Sequence, residues 1–376
     1  MIRPANTTGK IRILVNALHA KSGGGVTYLR NLLPYLGTAE GLEVHLFLHT
    51  DQYGLFDTLP EGVRVHLLEF PNSFARLLLW EQVALPILAR EMGVDVTFSL
   101  ANYGPLAAPN TVIVLRNSLA VVTRERRLGK WGYWIGLAIA TVVSLIGCRR
   151  AIAVSDYARR ALSFGLPSLF RDKIRVIHHG VDSAFSPAPD GVPRHDNELL
   201  VVSDVYVQKN IHTLIRVLAK VRSYRPEVTL AVAGRLVDTD YHGELRRLAE
   251  ECGVSDAVRF LGGQSTERLL ELYRTCTLFV FPSTVETFGN PLVEAMACGA
   301  PIICSRTAAM PEVAGEAVQY VDPLAIDEMV TAIVALLDDP ARRADLSRRS
   351  LERAAKYSWA ATGLRTAEVL RDAARR

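Results

Sequence analysis

Glu286 and Glu294, separated by seven residues, are two carboxylates whose placement could do chemistry. The stretch Glu286-Thr-Phe-Gly-Asn-Pro-Leu-Val-Glu294 lies between two apolar runs, Leu278-Phe-Val-Phe281 and Pro301-Ile-Ile-Cys304. Runs this short and this apolar read as buried parallel strands. Asn290 suits a helix N-cap, Pro291 the first helical position, Gly299 the C′ position and Pro301 the stop. The spacing predicts strand, loop, short helix, strand, with Glu286 in the loop and Glu294 one turn into the helix. Ligands of open α/β sheets bind outside the carboxyl ends of the strands, where this loop falls. Backbone N–H groups from Phe288 to Leu292 would face the same side and favour an anion. Amides that seek phosphate beside two carboxylates suit a ligand bearing phosphates and hydroxyls, as a nucleotide sugar does. Taken alone, an acidic pair around a helix start is more often solvated or structural.

Two further groups could meet phosphate. Ser22-Gly-Gly-Gly-Val26 follows the first apolar run and opens the helix Thr27-Tyr-Leu-Arg-Asn-Leu-Leu. Glycines there allow close backbone approach, and the helix N-terminus supplies donors. A tight turn without a ligand reads equally well. The Gly-x-Gly-x-x-Gly fingerprint is incomplete, since Tyr28 stands at its third glycine, and this disfavours an NAD-dependent oxidoreductase. Lys209 follows the run Leu199-Leu-Val-Val-Ser203 and begins Lys209-Asn-Ile-His-Thr-Leu-Ile. A lysine at the carboxyl edge of a strand can neutralise a pyrophosphate leaving group. A solvated lysine at a helix start is the plainer reading.

These residues need a scaffold, and the chain supplies one. Apolar strand-like runs alternate with amphipathic stretches, the pattern of βαβ units and parallel sheets. Strands are expected near residues 11–18, 43–49, 63–68, 94–99, 112–115, 151–155 and 174–177. A second series falls near 199–203, 228–233, 258–261, 278–281, 301–305 and 318–321. The Pro-, Gly- and Asp-rich segment 182–196 separates the series and reads as an interdomain linker. At 376 residues, two domains are expected.

Forty-three basic against 39 acidic residues leave a net charge of +4, a weak statement about partners. No platform of interleaved basic and aromatic residues supports nucleic-acid binding. Five scattered cysteines without Cys-x-x-Cys read as buried thiols of a reducing compartment. The first ten residues lack an apolar core of a secretory signal, which suggests a cytoplasmic protein. No Asp-x-Asp in the appropriate loop, His-x-x-x-His or phosphate-loop lysine motif appears, so no metal ligands are assigned. The apolar segment 131–147 is bracketed by Arg124, Arg126, Arg127, Lys130, Arg149 and Arg150. It reads first as a core helix feeding the strand near 151–155, and second as a helix lying in a membrane interface. A true span is the least favoured reading.

The Glu286–Glu294 stretch resembles the E-x7-E signature of retaining glycosyltransferases of family 4, which have the GT-B fold. The resemblance continues through Glu294-Ala-Met-Ala-Cys-Gly-Ala-Pro301, Pro311-Glu-Val, Ala231-Val-Ala-Gly-Arg235, Val258-Arg-Phe-Leu-Gly262 and Ile177-His-His-Gly-Val-Asp182. It covers nearly the whole chain and is densest from 174 to 323. It implies an α/β fold of two Rossmann-like, doubly wound domains facing a cleft. Residues 1–183 would bind acceptor, 184–356 would bind nucleotide sugar, and 357–376 would return as a helix to the first domain.

The resemblance also implies roles. Gly24 and Gly25 would contact the donor diphosphate, and Lys209 would stabilise the departing phosphates. Glu286 would face the transferred sugar, with Thr287, Phe288, Gly289, Asn290 and Pro291 completing the donor loop. Glu294 would take the ribose hydroxyls, and backbone near Phe260 and Leu261 the base. Two departures stand out. Relatives carry an arginine five or six positions before the lysine, where this chain has Ser203 and Asp204, and Arg235 is the candidate replacement. Where relatives line the acceptor side with a His-Asp or His-Asn pair, this chain reads Leu115-Arg116-Asn117. Arg116 cannot act as a base at neutral pH. It would steady phosphate or an acidic acceptor, or pair with a carboxylate.

The implied function is a retaining, metal-independent hexosyltransferase using a UDP- or GDP-linked donor, with no cofactor besides it. The implied acceptor is a glycan or lipid-linked glycan of cell-surface polysaccharide assembly, with peripheral contact at the inner face of a membrane. A GT-B sugar-nucleotide epimerase and a non-catalytic nucleotide-sugar-binding partner are the alternatives.

Overall fold

The computed structural model describes residues 9–21, 23–56, 60–70, 73–118, 131–166, 168–189 and 191–375. Ser22 and the basic group Arg124–Lys130 lie outside the described residues. Two compact units result: one runs up to Gly180 and resumes at Ser358, the other is Val181–Tyr357.

The first unit holds β1 (Ile11–Asn16), β2 (Leu42–His49), β3 (Val63–Leu68), β4 (Val96–Ser99), β5 (Val112–Leu115), β6 (Arg150–Ala153) and β7 (Ile174–Val176). Their order in the sheet is β3-β2-β1-β4-β5-β6-β7. The second unit holds β8 (Glu198–Val202), β9 (Thr229–Ala233), β10 (Val258–Gly262), β11 (Leu278–Phe281), β12 (Ile302–Ser305) and β13 (Gln319–Val321), ordered β10-β9-β8-β11-β12-β13. Every pairing in both sheets is parallel. Each run expected to be a strand is one. The reason is burial: β4, β5, β8, β11 and β12 are buried along their whole length, as in sheets covered by helices on both faces.

Both sheets are Rossmann-like, with strand order reversing between β1 and β4 and again between β8 and β11. Val15 pairs with Leu46 on one side and with Phe98 on the other. Ligands of such sheets bind at the carboxyl ends beside this reversal. The sequences that matter are therefore those following Asn16, Ser99, Val202 and Phe281.

Two readings are corrected. Segment 182–196 is not a free linker, because it packs on the second unit. Phe185 meets Tyr273 edge-on at 5.9 Å, and Arg274 donates to the Ser186 carbonyl and hydroxyl at 2.8 Å each. Arg194 donates to the carbonyls of Tyr273, Cys276 and Gly299 at 3.2, 3.1 and 2.6 Å. These carbonyls close the ends of helices Thr266–Thr275 and Asn290–Ala297, so one guanidinium caps both.

The helix Trp131–Gly147 does lead into β6, but it is not a core helix. Thr141, Ser144 and Leu145 point inward and are buried, while Ile135, Ile139 and Ile146 are each more than half exposed.

The last helix, Trp359–Ala374, belongs to the first unit and packs on helix Gly24–Gly37. Thr362 donates to the His178 carbonyl at 2.8 Å, and the Trp359 and His179 rings stack at 5.5 Å. Arg150 pairs with Asp372 at 2.6 Å. This accounts structurally for His179.

Candidate functional site

At the reversal point of the second sheet, the chain leaves β8 and makes a short 3-10 turn, Val207–Lys209. The helix then starts at Ile211, not at Lys209. Between them Asn210 adopts a left-handed conformation, φ 60°, and is fully buried. Its amide donates to the carbonyls of Pro282 and Pro323 at 3.1 and 2.6 Å, and its oxygen accepts from Thr213 at 2.7 Å. One side chain thus ties together the loops that follow β8, β11 and β13. Thr284 adds a second tie, its N–H donating to the Gln208 carbonyl at 2.9 Å. Asparagine tolerates this backbone and satisfies three buried groups. Nothing in the sequence reading pointed to it beyond its place beside Lys209.

That framework brings Lys209 to Glu286. The ammonium lies 2.6 Å from Oε1 of the carboxylate, with the two side chains 17% and 14% exposed. A pair this sheltered is screened less than a surface ion pair.

The loop from Glu286 enters helix Asn290–Ala297 by a different cap from the one expected. Gly289 is the N-cap, with φ 91°, and Asn290 and Pro291 are the first helical residues. Only a glycine accepts that backbone without strain, and geometry here overrides the capping preference of asparagine. The helix ends as expected, with Gly299 at φ 67° and the Ala300 N–H donating to the Ala295 carbonyl. The row of donor amides is shorter than the sequence suggested: Pro291 has no N–H, and Leu292 donates to the Gly289 carbonyl at 3.0 Å. Positions 291 and 292 therefore leave the row that the sequence suggested. Thr287 is half-buried beside Glu286, and the Phe288 ring is buried edge-on against Tyr357 at 5.6 Å.

A Cβ at position 289 would lie 3.2 Å from Cε1 of Phe281, in a backbone region costly for any side chain. Gly289→Ala is expected to destabilise the second unit by about 1–2 kcal/mol. A thermal melt of the full chain reads this, and an unchanged midpoint would refute it.

Glu294 lies one turn into this helix, partly buried. The Tyr273 hydroxyl donates to its Oε2 at 2.9 Å. Burial pushes the carboxyl up to about 7 and the nearby Asp182 charge adds to this, while the Tyr273 bond opposes it. Perturbed carboxylates of this kind cluster at functional sites.

Arg235 follows β9 and forms a two-pronged pair with Asp204, at 3.1 and 2.6 Å. Its charge therefore stands near the place proposed for it, but already matched by the acid that replaces the expected arginine. Phe260 and Leu261 lie at the end of β10, where the register shifts, and the Leu261 carbonyl accepts from Gln264. The Phe260 ring packs edge-on against His242 at 4.8 Å.

In the first unit, Gly23 caps helix Gly24–Gly37, so the glycines do open a helix. Arg116 explains Gly25: a Cβ there would meet its guanidinium at 2.5 Å. Arg116 Nε donates to the Leu100 carbonyl at 2.7 Å, and its backbone N–H donates to Asn102 at 2.9 Å. Burial lowers the arginine pKa, opposed by Tyr28.

A second polar group was not foreseen. The helical run from Phe74 to Glu91 contains a π-helical turn, Trp80–Ala84. Such turns often mark functional sites. Glu81 in that turn is fully buried, its oxygens 2.6 Å from Asn16 Nδ2 and 3.1 Å from His19 Nε2. Tyr103 reaches the other ring nitrogen of His19 at 3.3 Å, and Ser99 meets Asn16 at 3.0 Å. This group sits at the β1/β4 reversal. Glu81 carries no spacing signal in the sequence, since only the π-turn aims it inward. Among the described residues no group of three His, Cys, Asp or Glu could hold a metal ion.

Comparisons with known proteins agree with this architecture. Residues 22–185 match the family described as Glycosyltransferase Family 4, and residues 182–353 match Glycosyl transferases group 1. The chain belongs to glycosyltransferase family 4. It is 36% identical over 204 residues to D-inositol 3-phosphate glycosyltransferase of Mycolicibacterium smegmatis, an alignment covering 51% of this chain and 46% of the relative. It is 32% identical over 202 residues to MMP alpha-(1->4)-mannosyltransferase of Mycolicibacterium hassiacum, covering 53% and 48%. The chain thus spans about half the length of the curated relatives it matches. Among solved structures, sucrose-phosphate synthase from Thermosynechococcus elongatus matches with TM-score 0.78 at 21% identity, over 96% of this chain and 99% of that one. Anabaena HepE in complex with UDP and glucose matches with TM-score 0.75 at 20% identity, over 96% and 100%. These likenesses give the GT-B fold of the family 4 chain.

Proposed function

We propose that this family 4 chain is a retaining, metal-independent hexosyltransferase acting on a UDP- or GDP-linked sugar. One observation carries the reading: Lys209 meets Glu286 at 2.6 Å, at the β8/β11 reversal, with Glu294 one helical turn beyond. Lys209 would steady the departing phosphates, Glu286 the sugar hydroxyls and positive charge at the anomeric carbon, and Glu294 the ribose diol. In a front-face displacement, the acceptor oxygen bonds to the anomeric carbon as its bond to phosphate breaks. The acceptor proton passes to the departing phosphate, and no protein base is required.

The acceptor, a glycan or lipid-linked glycan of cell-surface polysaccharide assembly at the cytoplasmic face of a membrane, would be received by the first unit. His19 and Tyr103, backed by buried Glu81, and Arg116 beside Gly25 are the groups at its sheet edge. Relatives named as mannosyltransferases, and a structural neighbour solved with UDP and glucose, support the donor class.

A thermal-shift panel of UDP- and GDP-sugars tests donor binding, since a ligand held only by the folded chain raises the melting temperature. Nucleoside diphosphate release with the stabilising donor tests turnover, and the anomeric proton signal of the product tests retention. A second reading, a nucleotide-sugar binder without turnover, draws on Asp204, which stands where the family resemblance expects an arginine and pairs with Arg235. Stabilisation by a donor without diphosphate release under any acceptor would favour it.

A further inference from the structure

The helix Trp131–Gly147 turns the wrong face to water. Trp131, Ile135, Ile139, Val143 and Ile146 form one stripe along it, each between 42% and 60% exposed. Beside Leu145, the buried side carries Thr141, bonded to the Leu137 carbonyl at 2.8 Å, and Ser144, which accepts from the Gly104 N–H at 3.3 Å. A helix facing only solvent would place these residues the other way round.

A neighbouring helical run repeats the pattern. Leu79, Val83 and Ile87, four residues apart, are 64%, 51% and 49% exposed. The loop 104–106 joins the two stripes. Gln82 donates to the Gly104 carbonyl and accepts from the Leu106 N–H, both at 3.2 Å. Leu106, 53% exposed, reaches the end of the first stripe, 3.7 Å from where a Cβ of Gly147 would stand. Two apolar stripes bridged by a leucine make a continuous patch larger than scattered surface leucines.

Cations border the patch, and the sequence leading into the helix gives them a clear excess over acids. Arg90 holds the Ala107 carbonyl at 2.6 Å and Lys173 holds the Ile146 carbonyl at 2.5 Å, both against neutral backbone. Arg149 likewise donates to the Arg375 carbonyl at 3.1 Å, whereas Arg150 is matched by Asp372. The sequence just before the helix adds Arg124, Arg126, Arg127 and Lys130 against the single acid Glu125. Exposed acids nearby are Glu91 and Asp172.

We infer that this face of the first unit docks on an anionic lipid bilayer, with helix Trp131–Gly147 lying in the headgroup layer. At 17 residues the helix is too short to span, and no described helix is long and apolar enough to cross a membrane. A half-exposed stripe of Ile and Trp at the acyl boundary, with Arg and Lys at the headgroups, is the arrangement of an interfacial helix. Charge decides the occupant: a second copy of this chain would bring the same cations against themselves, while anionic headgroups attract them. The inference stands apart from the transfer reaction and needs no donor to test.

The test floats the full chain with vesicles of phosphatidylglycerol and phosphatidylethanolamine, and separately with vesicles of phosphatidylcholine alone. The expected result is co-flotation with the anionic vesicles, weakened by salt, and at least about tenfold less with the neutral ones. Ile135→Asp with Ile139→Asp is expected to reduce anionic binding by at least about tenfold at an unchanged melting temperature. These exposed positions lie outside the donor machinery, so diphosphate release from a soluble donor is expected to persist. Failure to float with either vesicle would overturn the inference, as would undiminished flotation of the double variant. Sedimentation showing a dimer that the double variant dissolves, without vesicle binding, would assign the face to a second copy instead.

Discussion

Lys209→Ala is expected to slow sugar transfer by about 10²- to 10³-fold, the usual effect of removing one group that meets developing charge. The lysine is held by the Asn210 clamp and sits 2.6 Å from Glu286 in a sheltered position. Without it, phosphate charge grows as the glycosidic bond breaks with no cation to meet it. The same substitution leaves Glu286 half-sheltered and unpaired, which costs about 1–2 kcal/mol of stability. A companion variant separates the two effects. Lys209→Ala combined with Glu286→Gln is expected to regain the melting temperature but not the rate. Diphosphate release and thermal melts read both quantities. A single variant turning over within about twofold of the parent would remove Lys209 from the reaction.

Glu294→Gln is expected to make the ligand-free chain more stable and the donor-bound chain weaker. The glutamate carboxyl is held at about 7 against an ordinary 4.5, chiefly by burial. Its folded value is the raised one, so its contribution favours folding fully below about pH 4.5 and is lost as pH rises through about 7. At about pH 8 the ionised form is a burden of up to about 3 kcal/mol, and after solvent screening about 1–2 kcal/mol is expected. Glutamine removes that burden, so the variant should melt higher at about pH 8 and show little difference at about pH 5.

Donor affinity should move the other way. An ionised Glu294 accepts two hydroxyl bonds from a ribose, and hydrogen bonds to charged groups contribute about 1.5–3 kcal/mol. The variant should bind a nucleoside diphosphate about ten- to a hundredfold more weakly at about pH 8. In the parent chain, affinity should rise with pH up to about 7 and then level. Titration calorimetry at several pH values, beside melts of both proteins, checks the pair of effects. Equal affinity across that range would detach Glu294 from the ribose. Destabilisation by the glutamine would instead mean that the Tyr273 bond outweighs the cost of the charge.

The strands were legible because a parallel sheet covered on both faces leaves continuous apolar runs, and every run of that kind became a strand. Lys209 and Glu286 could each be placed after a strand, but their direct approach could not, because it depends on β8 and β11 being neighbours in the sheet. What escaped were choices made by local geometry. Gly289 takes the cap from Asn290 because the turn demands a positive φ, which no propensity ranking reveals. The carboxylate of Glu81 enters the first unit only through a π-helical turn, invisible to a 3.6-residue period. Segment 131–147 is apolar all round, so its composition could not say which side faces inward. Thr141, Ser144 and Leu145 are what the fold turned toward the protein. Segment 182–196 had the composition of a tether, yet Arg194 spends its donors on two helix ends.

The chain enters the second unit after Gly180 and leaves it after Tyr357, so that unit is one uninterrupted insertion. Synthesis on the ribosome therefore completes the inserted half while its host still waits for the helix that covers Tyr28 and His179. A premature stop at Tyr357 would spare the later-made half and cripple the earlier-made one. Completion of the earlier-made half thus waits on the returning segment that begins at Ser358.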